Sequence, residues 1–273
     1  MKRNLIALLA LIMVLAALVG CGTENAAQGK QDATRTVTDI DGTEVTIPAN
    51  VERIADLWHA NNQVVLLLGG ADKLVTTTKN VQGLPWFAQV YPRIKEISAP
   101  VKGTDVNWEE VEKEKPQVVL ASSKEQIETA RKNGYTAVRV NFATYDGLRK
   151  VVKITGDVLG GDAVKNAETY LSYLDEKTKF TDERTKKLSD ADRPVVLHIV
   201  GGDDLFKVDG VDTIIDEWIR YGGGQNAITA KGSQIKTTIE EVLKADPDII
   251  IIGGTQSAKG IEAIKNDPQW ASL

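Results

Sequence analysis

Residues 163–188 read AVKNAETYLSYLDEKTKFTDERTKKL, and the architecture turns on this stretch. Ala163, Ala167, Tyr170, Leu171, Leu174 and Thr178 recur at helical spacing on one side. Lys165, Glu168, Asp175, Lys179, Glu183 and Lys186 lie mostly on the others. At about 1.5 Å per residue such a helix is roughly 39 Å long, enough to cross from one domain to another as a strut. Two ordinary surface helices within one domain are the alternative. Just upstream, Leu148, Val152, Thr155 and Leu159 mark another helix, Gly160-Gly161 breaks it, and Asp162 is expected to cap the next.

On both sides of this segment, short apolar runs alternate with helical patterns. Upstream, Arg53–Leu57, Lys73–Thr77, Gln117–Ala121 and Ala137–Val140 read as strands, with helices over Asn61–Leu68, Trp108–Lys113 and Lys124–Asn133 between them. Gly69-Gly70 and Gly134 sit where helix ends favour a left-handed residue. Downstream, Val195–Val200 and Asp248–Ile252 bracket helices around Val211–Tyr221 and Thr238–Lys244. The unbroken Ile249–Ile252 predicts a parallel strand covered on both faces. The expected fold is therefore α/β: two Rossmann-like lobes with mostly parallel sheets, joined by one long α-helix. A hairpin about Asp41-Gly42 precedes the first lobe, and the oxygen ligands that a calcium loop would need are missing there.

An internal echo supports two similar lobes. Glu109-Glu110-Val111 and Pro116–Leu120 recur as Glu240-Glu241-Val242 and Pro247–Ile251, each shifted by 131 positions. In both copies a short acidic helix runs to a Pro that opens an apolar strand.

The chain has 273 residues, 42% hydrophobic and 26% charged, which are globular proportions. A net charge of −5 argues against general nucleic-acid binding, which needs a basic surface. Lys2 and Arg3, the apolar run Leu5–Val19 and Gly20-Cys21-Gly22 make a secretory signal too short to span a bilayer. Leu18-Val19-Gly20-Cys21 is similar to a bacterial lipobox, which predicts removal of residues 1–20 and a lipid on Cys21. A plain signal with a buried thiol is the alternative. Residues 21–35 are expected to be a flexible tether, 36–150 the first lobe, 151–190 a helical linker and 191–273 the second lobe.

Catalytic chemistry finds little material. Gly222-Gly223-Gly224 lacks the Lys and Ser/Thr of a phosphate loop, no Gly-x-Ser-x-Gly elbow is present, and the lone Cys lies in the leader. With 2 His and 1 Cys, no metal site and no cofactor are expected. His198, inside an apolar strand, reads as a satisfied core residue. His59 follows the first strand of the first lobe, and the ligand crevice of an α/β sheet lies at such carboxyl ends.

These features in this order resemble the substrate-binding lipoproteins of bacterial ABC importers, in the subgroup serving ferric siderophores, haem and cobalamin. The matching phrases are the lipobox, the opening hairpin, Val51–Ile54, Leu67–Val75, Asn107–Val111 through Pro116, Gly134 with its strand, the second Glu-Glu-Val and Asn266–Trp270. The resemblance implies a shallow cleft between the lobes and only a small closing motion. It also implies one docking Glu per lobe, by motif Glu109 and Glu240, received by Arg residues of a permease dimer. Relatives continue past the position of Leu273 into another strand and helices, so 191–273 is expected to be an incomplete lobe. The loop Trp58–Gln63 departs from the Ser-Pro and Thr-Glu that the family often carries there.

An organic chelate needs aromatic walls and a few polar groups. The candidate ligand-binding residues are Trp58, His59, Asn61, Asn62, Lys79, Trp86 and Tyr145, with Phe87, Arg93 and Arg139 as further candidates. Trp108 and Trp218 fall in helices and read as packing residues. The expected function is capture of a ferric siderophore-type iron complex and its delivery to the permease, without catalysis. Haem, cobalamin or an oxyanion such as molybdate is the alternative cargo; an exported α/β enzyme or a protein-binding surface sensor is the alternative role. The expected place is the outer face of the cell membrane, held there by the lipid anchor only.

Overall fold

The computed structural model describes residues 33–254, 256–270 and 273. The leader, Cys21 and most of the tether lie outside these residues. Among the described residues no helix is long and apolar enough to cross a membrane.

β1 (Thr34–Thr38) and β2 (Glu44–Pro48) form the expected antiparallel hairpin. Asp39 Oδ1 builds its turn by accepting the N–H groups of Asp41 and Thr43 at 3.0 and 2.9 Å. The strand opens at Thr34, inside the expected tether, because Arg35 is anchored. Its guanidinium donates to the carbonyls of Ala49 (3.0 Å), Val158 (2.8 Å) and Asp157.

The first lobe continues through β3 (Ile54–Asp56), α1 (His59–Leu67), β4 (Leu74–Thr78), α2 (Lys79–Gly83), α3 (Pro85–Val90), β5 (Ser98–Lys102), β6 (Asp105–Val106), α4 (Trp108–Glu114), β7 (Val118–Ala121), α5 (Lys124–Lys132) and β8 (Ala137–Arg139). The sheet order is β6-β5-β4-β3-β7-β8, parallel except for β6. Alternation along the strands feeds two apolar layers. Ile54, Val118, Leu120 and Val138 face Val64, Val65, Val151 and Val158 on one side; Ala55, Val119 and Ala121 face Val111, Ile127 and Ala130 on the other.

α6 (Tyr145–Leu159) packs on this lobe and turns through Gly160 and Gly161, at φ +69° and +57°, into α7 (Asp162–Thr185). Asp162 is already helical, and Gly161 takes the capping position without a side-chain bond, so the expected Asp cap does not form. A Cβ at Gly156 would lie 3.0 Å from Ala167 Cβ, and its absence lets α6 and α7 touch. The 24 residues of α7 span about 36 Å. At its far end, Gly223 sits at φ +92°, where a side chain is strained, and a Cβ there would meet Leu188 at 3.1 Å and Thr185 at 3.2 Å.

The second lobe comprises β9 (Val195–Gly201), β10 (Asp204–Val208), α8 (Ile214–Tyr221), β11 (Gln225–Asn226), β12 (Ile235–Lys236), α9 (Ile239–Ala245), β13 (Ile249–Ile252) and α10 (Ser257–Asn266). β9 is central, parallel to β11 and β13 and antiparallel to β10, which pairs with β12. Leu197, Ile199, Val208, Val242 and Trp270 form its core. The fold is thus two α/β lobes joined by a long helix.

The 131-residue echo persists in the backbone. α4 and α9 are capped by Asn107 and Thr238 and end on left-handed Lys115 (φ 46°) and Asp246 (φ 47°). Their strands differ. β7 is buried between β3 and β8, whereas β13 has one neighbour, β9, among the described residues, and Ile249 is 44% exposed. The expectation of a strand covered on both faces is not met at Ile249, and among the described residues β13 lies at the edge of its sheet.

Candidate functional site

The carboxyl end of β3 passes into α1 through Leu57 and Trp58, and a group of buried polar side chains holds that passage. Asp56, Asn61 and Asn62 are all fully buried. Asp56 Oδ1 accepts the Trp58 N–H at 3.2 Å and Oδ2 accepts Asn61 Nδ2 at 2.9 Å. Asn62 Nδ2 donates to the Asp56 and Trp58 carbonyls at 3.1 and 3.0 Å. The group is tied to the frame of the lobe at two points. Thr77 of β4 donates to Asn62 Oδ1 at 2.7 Å, and Thr155 of α6 donates to Asn61 Oδ1 at 2.9 Å. Burial penalises a carboxylate here, and the bonds from Trp58 and Asn61 only partly oppose it, so Asp56 is pushed up to about 8.

Above this layer, Trp58 is half-buried and its ring packs on Phe142, 4.9 Å between centroids, and edge-on to His59 at 6.3 Å. His59 is exposed to water, yet surrounding protein holds its imidazole below the ordinary histidine range. Desolvation disfavours the charged form of the ring.

The other candidates distribute as follows. Lys79 is exposed as the first residue of α2, at the carboxyl end of β4, where it reaches Gln82 Oε1 at 3.4 Å. Trp86 is 38% exposed and stacks on Phe87, whose own ring is fully buried and so forms no wall. Arg139 is committed to Asp41 of the hairpin (2.6 Å) and the Ser122 carbonyl (2.9 Å), and Arg93 pairs with Asp72 at 3.4 Å. Tyr145 opens α6 and faces the second lobe: its N–H donates to Glu217 and its ring meets Tyr221 edge-on at 5.5 Å. Burial, with Tyr170 and Glu217 nearby, holds its phenol above the usual range. Trp58, His59 and Phe142 therefore form one cluster, while Tyr145 belongs to the contact between lobes. Asp56, Phe142 and Glu217 escaped the sequence reading. An Asp closing the apolar run Ile54-Ala55 was the available sign for the first.

In the second lobe, the carboxyl ends of β9 and β13 border a cavity of about 390 Å³ lined by Asp203, Lys207, Gln234 and Gln256 among others. A larger hollow of about 510 Å³ lies where the end of α7 meets α8 and β11, lined by Lys186, Arg193, Arg220, Asp216 and Glu217. His198 is buried in β9, bonded through Nδ1 to Asp209 at 2.7 Å, with Trp218 edge-on at 5.8 Å. No group of three or more His, Cys, Asp or Glu suited to a metal occurs among the described residues.

Glu109 and Glu240 are both exposed in the first turns of the matched helices α4 and α9, one on each lobe. Trp108 stacks on Tyr135, 5.9 Å between centroids, as a packing residue.

Comparison with known proteins gives this geometry a family. An uncharacterized ABC transporter substrate-binding lipoprotein of Bacillus subtilis, YvrC, is 26% identical over 269 residues, covering 93% of this chain and 82% of that protein. A periplasmic solute binding protein from Veillonella parvula superposes with a TM-score of 0.74 at 26% identity, over 88% of this chain and 75% of its own. The molybdate periplasmic binding protein MolA of Haemophilus influenzae, bound to molybdate, shares the fold at 19% identity with a TM-score of 0.79, over 88% and 79%. Residues 54–273 match the family described as periplasmic binding protein, and the chain belongs to that family.

Proposed function

We propose that this chain is the solute receptor of an ABC importer and carries a ferric siderophore-type iron complex in the cleft between its lobes. The observation that carries the reading is the Trp58–His59 loop: an indole and an imidazole whose charged form is disfavoured, held side by side at a strand's carboxyl end. Trp58 and Trp86 supply apolar walls for an organic chelate, Lys79 offsets its negative charge, and His59 donates or accepts one hydrogen bond. Tyr145 sets the second lobe against the first. The solute is bound and handed over, with no bond made or broken. The protein is held by a lipid on Cys21 at the outer face of the membrane. Glu109 and Glu240, one per lobe, meet Arg residues of a two-fold permease, where charge-assisted contacts fix orientation.

A second reading, an oxyanion such as molybdate, is favoured by one feature. α1 has no side-chain cap, since Trp58 occupies that position, and its first N–H groups stand beside His59.

Tryptophan-fluorescence titration with ferric siderophores, haemin, cyanocobalamin and molybdate decides between them. Saturable quenching by a ferric siderophore supports the first reading and by molybdate the second; silence with all probes overturns both. Glu109→Lys with Glu240→Lys is expected to abolish uptake at unchanged affinity, and a comparable loss of affinity would refute the docking assignment.

A further inference from the structure

Trp58 and His59 can recognise a solute only if the loop that carries them holds its direction. Nothing in their own side chains does this: Trp58 packs by its ring, and α1 begins without a side-chain cap. Both peptide groups of Trp58 are instead gripped from behind. Its N–H is taken by Asp56 and its carbonyl by Asn62. Asn61 holds Asp56 in turn, and the two Asn side chains end on hydroxyls of different elements, Thr155 of α6 and Thr77 of β4. With no exposed surface, neither Asn can reach a solute.

We propose that Asp56, Asn61, Asn62, Thr77 and Thr155 are positioning residues, which transmit the orientation of the lobe's frame to Trp58 and His59 and thereby set how the cleft receives its cargo. The role toward cargo rests on the receptor reading, whereas the mechanical link stands on the bonds alone. A buried network of this kind tolerates little slack, because an amide deprived of a partner must find another by moving. In this chain the loop has a private reporter: it contains one of only 2 histidines.

The test removes one hydroxyl that lies outside the cleft. Thr155→Val keeps the shape of the buried side chain and deletes its donor to Asn61; Thr155→Ser restores the donor and deletes only a methyl. Imidazole NMR then follows His59 through its titration in each protein, and fluorescence titration reads the affinity for ferric siderophores, haemin, cyanocobalamin and molybdate. In Thr155→Val the His59 midpoint is expected to move up toward the ordinary histidine value, and the affinity of any probe bound by the wild type to fall about tenfold, as for one lost buried hydrogen bond. Thr155→Ser is expected to match the wild type in both. An unmoved His59 midpoint in Thr155→Val, or an equal effect of Thr155→Ser, overturns the inference, the latter by showing that packing alone was at work. If His59 responds as expected while the wild type binds no probe, the positioning link stands and the receptor reading falls.

Discussion

Asp56 makes the stability of this protein depend on pH in a direction opposite to that of a typical carboxylate. Burial above all pushes its carboxyl up to about 8 in the folded chain, against 3.8 for the free group. A raised folded pKa means that the stabilising contribution is complete below the unfolded pKa and is lost as pH climbs toward the folded one. Between pH 3.8 and 7 the unfolded chain releases this proton and the folded chain keeps it. At about 1.4 kcal/mol per pH unit, the group alone removes roughly 4 kcal/mol of stability by pH 7. Asp56→Asn takes away the titration while preserving the local bonds. The amide oxygen still accepts from Trp58 N–H, and the amide nitrogen can donate to Asn61 once that side chain is turned over. The variant is therefore expected to gain on the wild type between pH 5 and 7 by about 3 kcal/mol. Urea unfolding of both proteins at the two pH values isolates the effect, since every other titrating group cancels in the double difference. A double difference near zero, or one that favours the wild type at pH 7, would show that Asp56 is ionised in the fold and would refute the argument from burial.

Two further outcomes follow from contacts between separate parts of the chain. Arg35→Ala removes the donors that close the last carbonyls of α6 and tie the hairpin to it; a loss of about 2 kcal/mol and faster hydrogen exchange in β1 and β2 are expected, and unchanged exchange would mean the hairpin holds itself. Glu217→Ala deletes the carboxylate that the second lobe places on the first N–H of α6; a broader distribution of distances between spin labels on the two lobes is expected, and an unaltered one would show that α7 alone sets their separation.

Much of the fold is legible in residue order because its deciding feature is local. The apolar side of residues 163–188 needs no knowledge of partners, and the 131-residue echo reappears as matched caps at Asn107 and Thr238 and matched left-handed ends at Lys115 and Asp246. The environment of β13 was not legible, since four Ile in a row look the same in the middle of a sheet as at its edge. The polar groups near the crevice were harder still. Asn61 and Asn62 open a helix at the carboxyl end of a strand, where an exposed amide would naturally face a ligand. They bond inward instead, to Thr77 on β4 and Thr155 on α6, and no local pattern announces those partners. Phe87 differs from Trp86 by a single position on a short helix, so which ring faces the core depends on a helix start that only packing defines.

Beyond Leu174, α7 runs for three turns with no buried residue, and its outer side carries Lys177 over Tyr173 and Arg184 over Phe180. That part of the connector is tied from the side by Arg149 of α6, to Asp175 at 2.8 Å and Thr178 at 3.3 Å, and at its end by Arg193 on the Thr185 carbonyl at 2.9 Å; otherwise it keeps its shape through its own hydrogen bonds and such pairs between neighbouring turns. Between those ties its stiffness rests on local helix propensity. Evolution could therefore retune how freely the two halves breathe by exchanging exposed residues such as Lys177, leaving untouched every atom that meets the cargo.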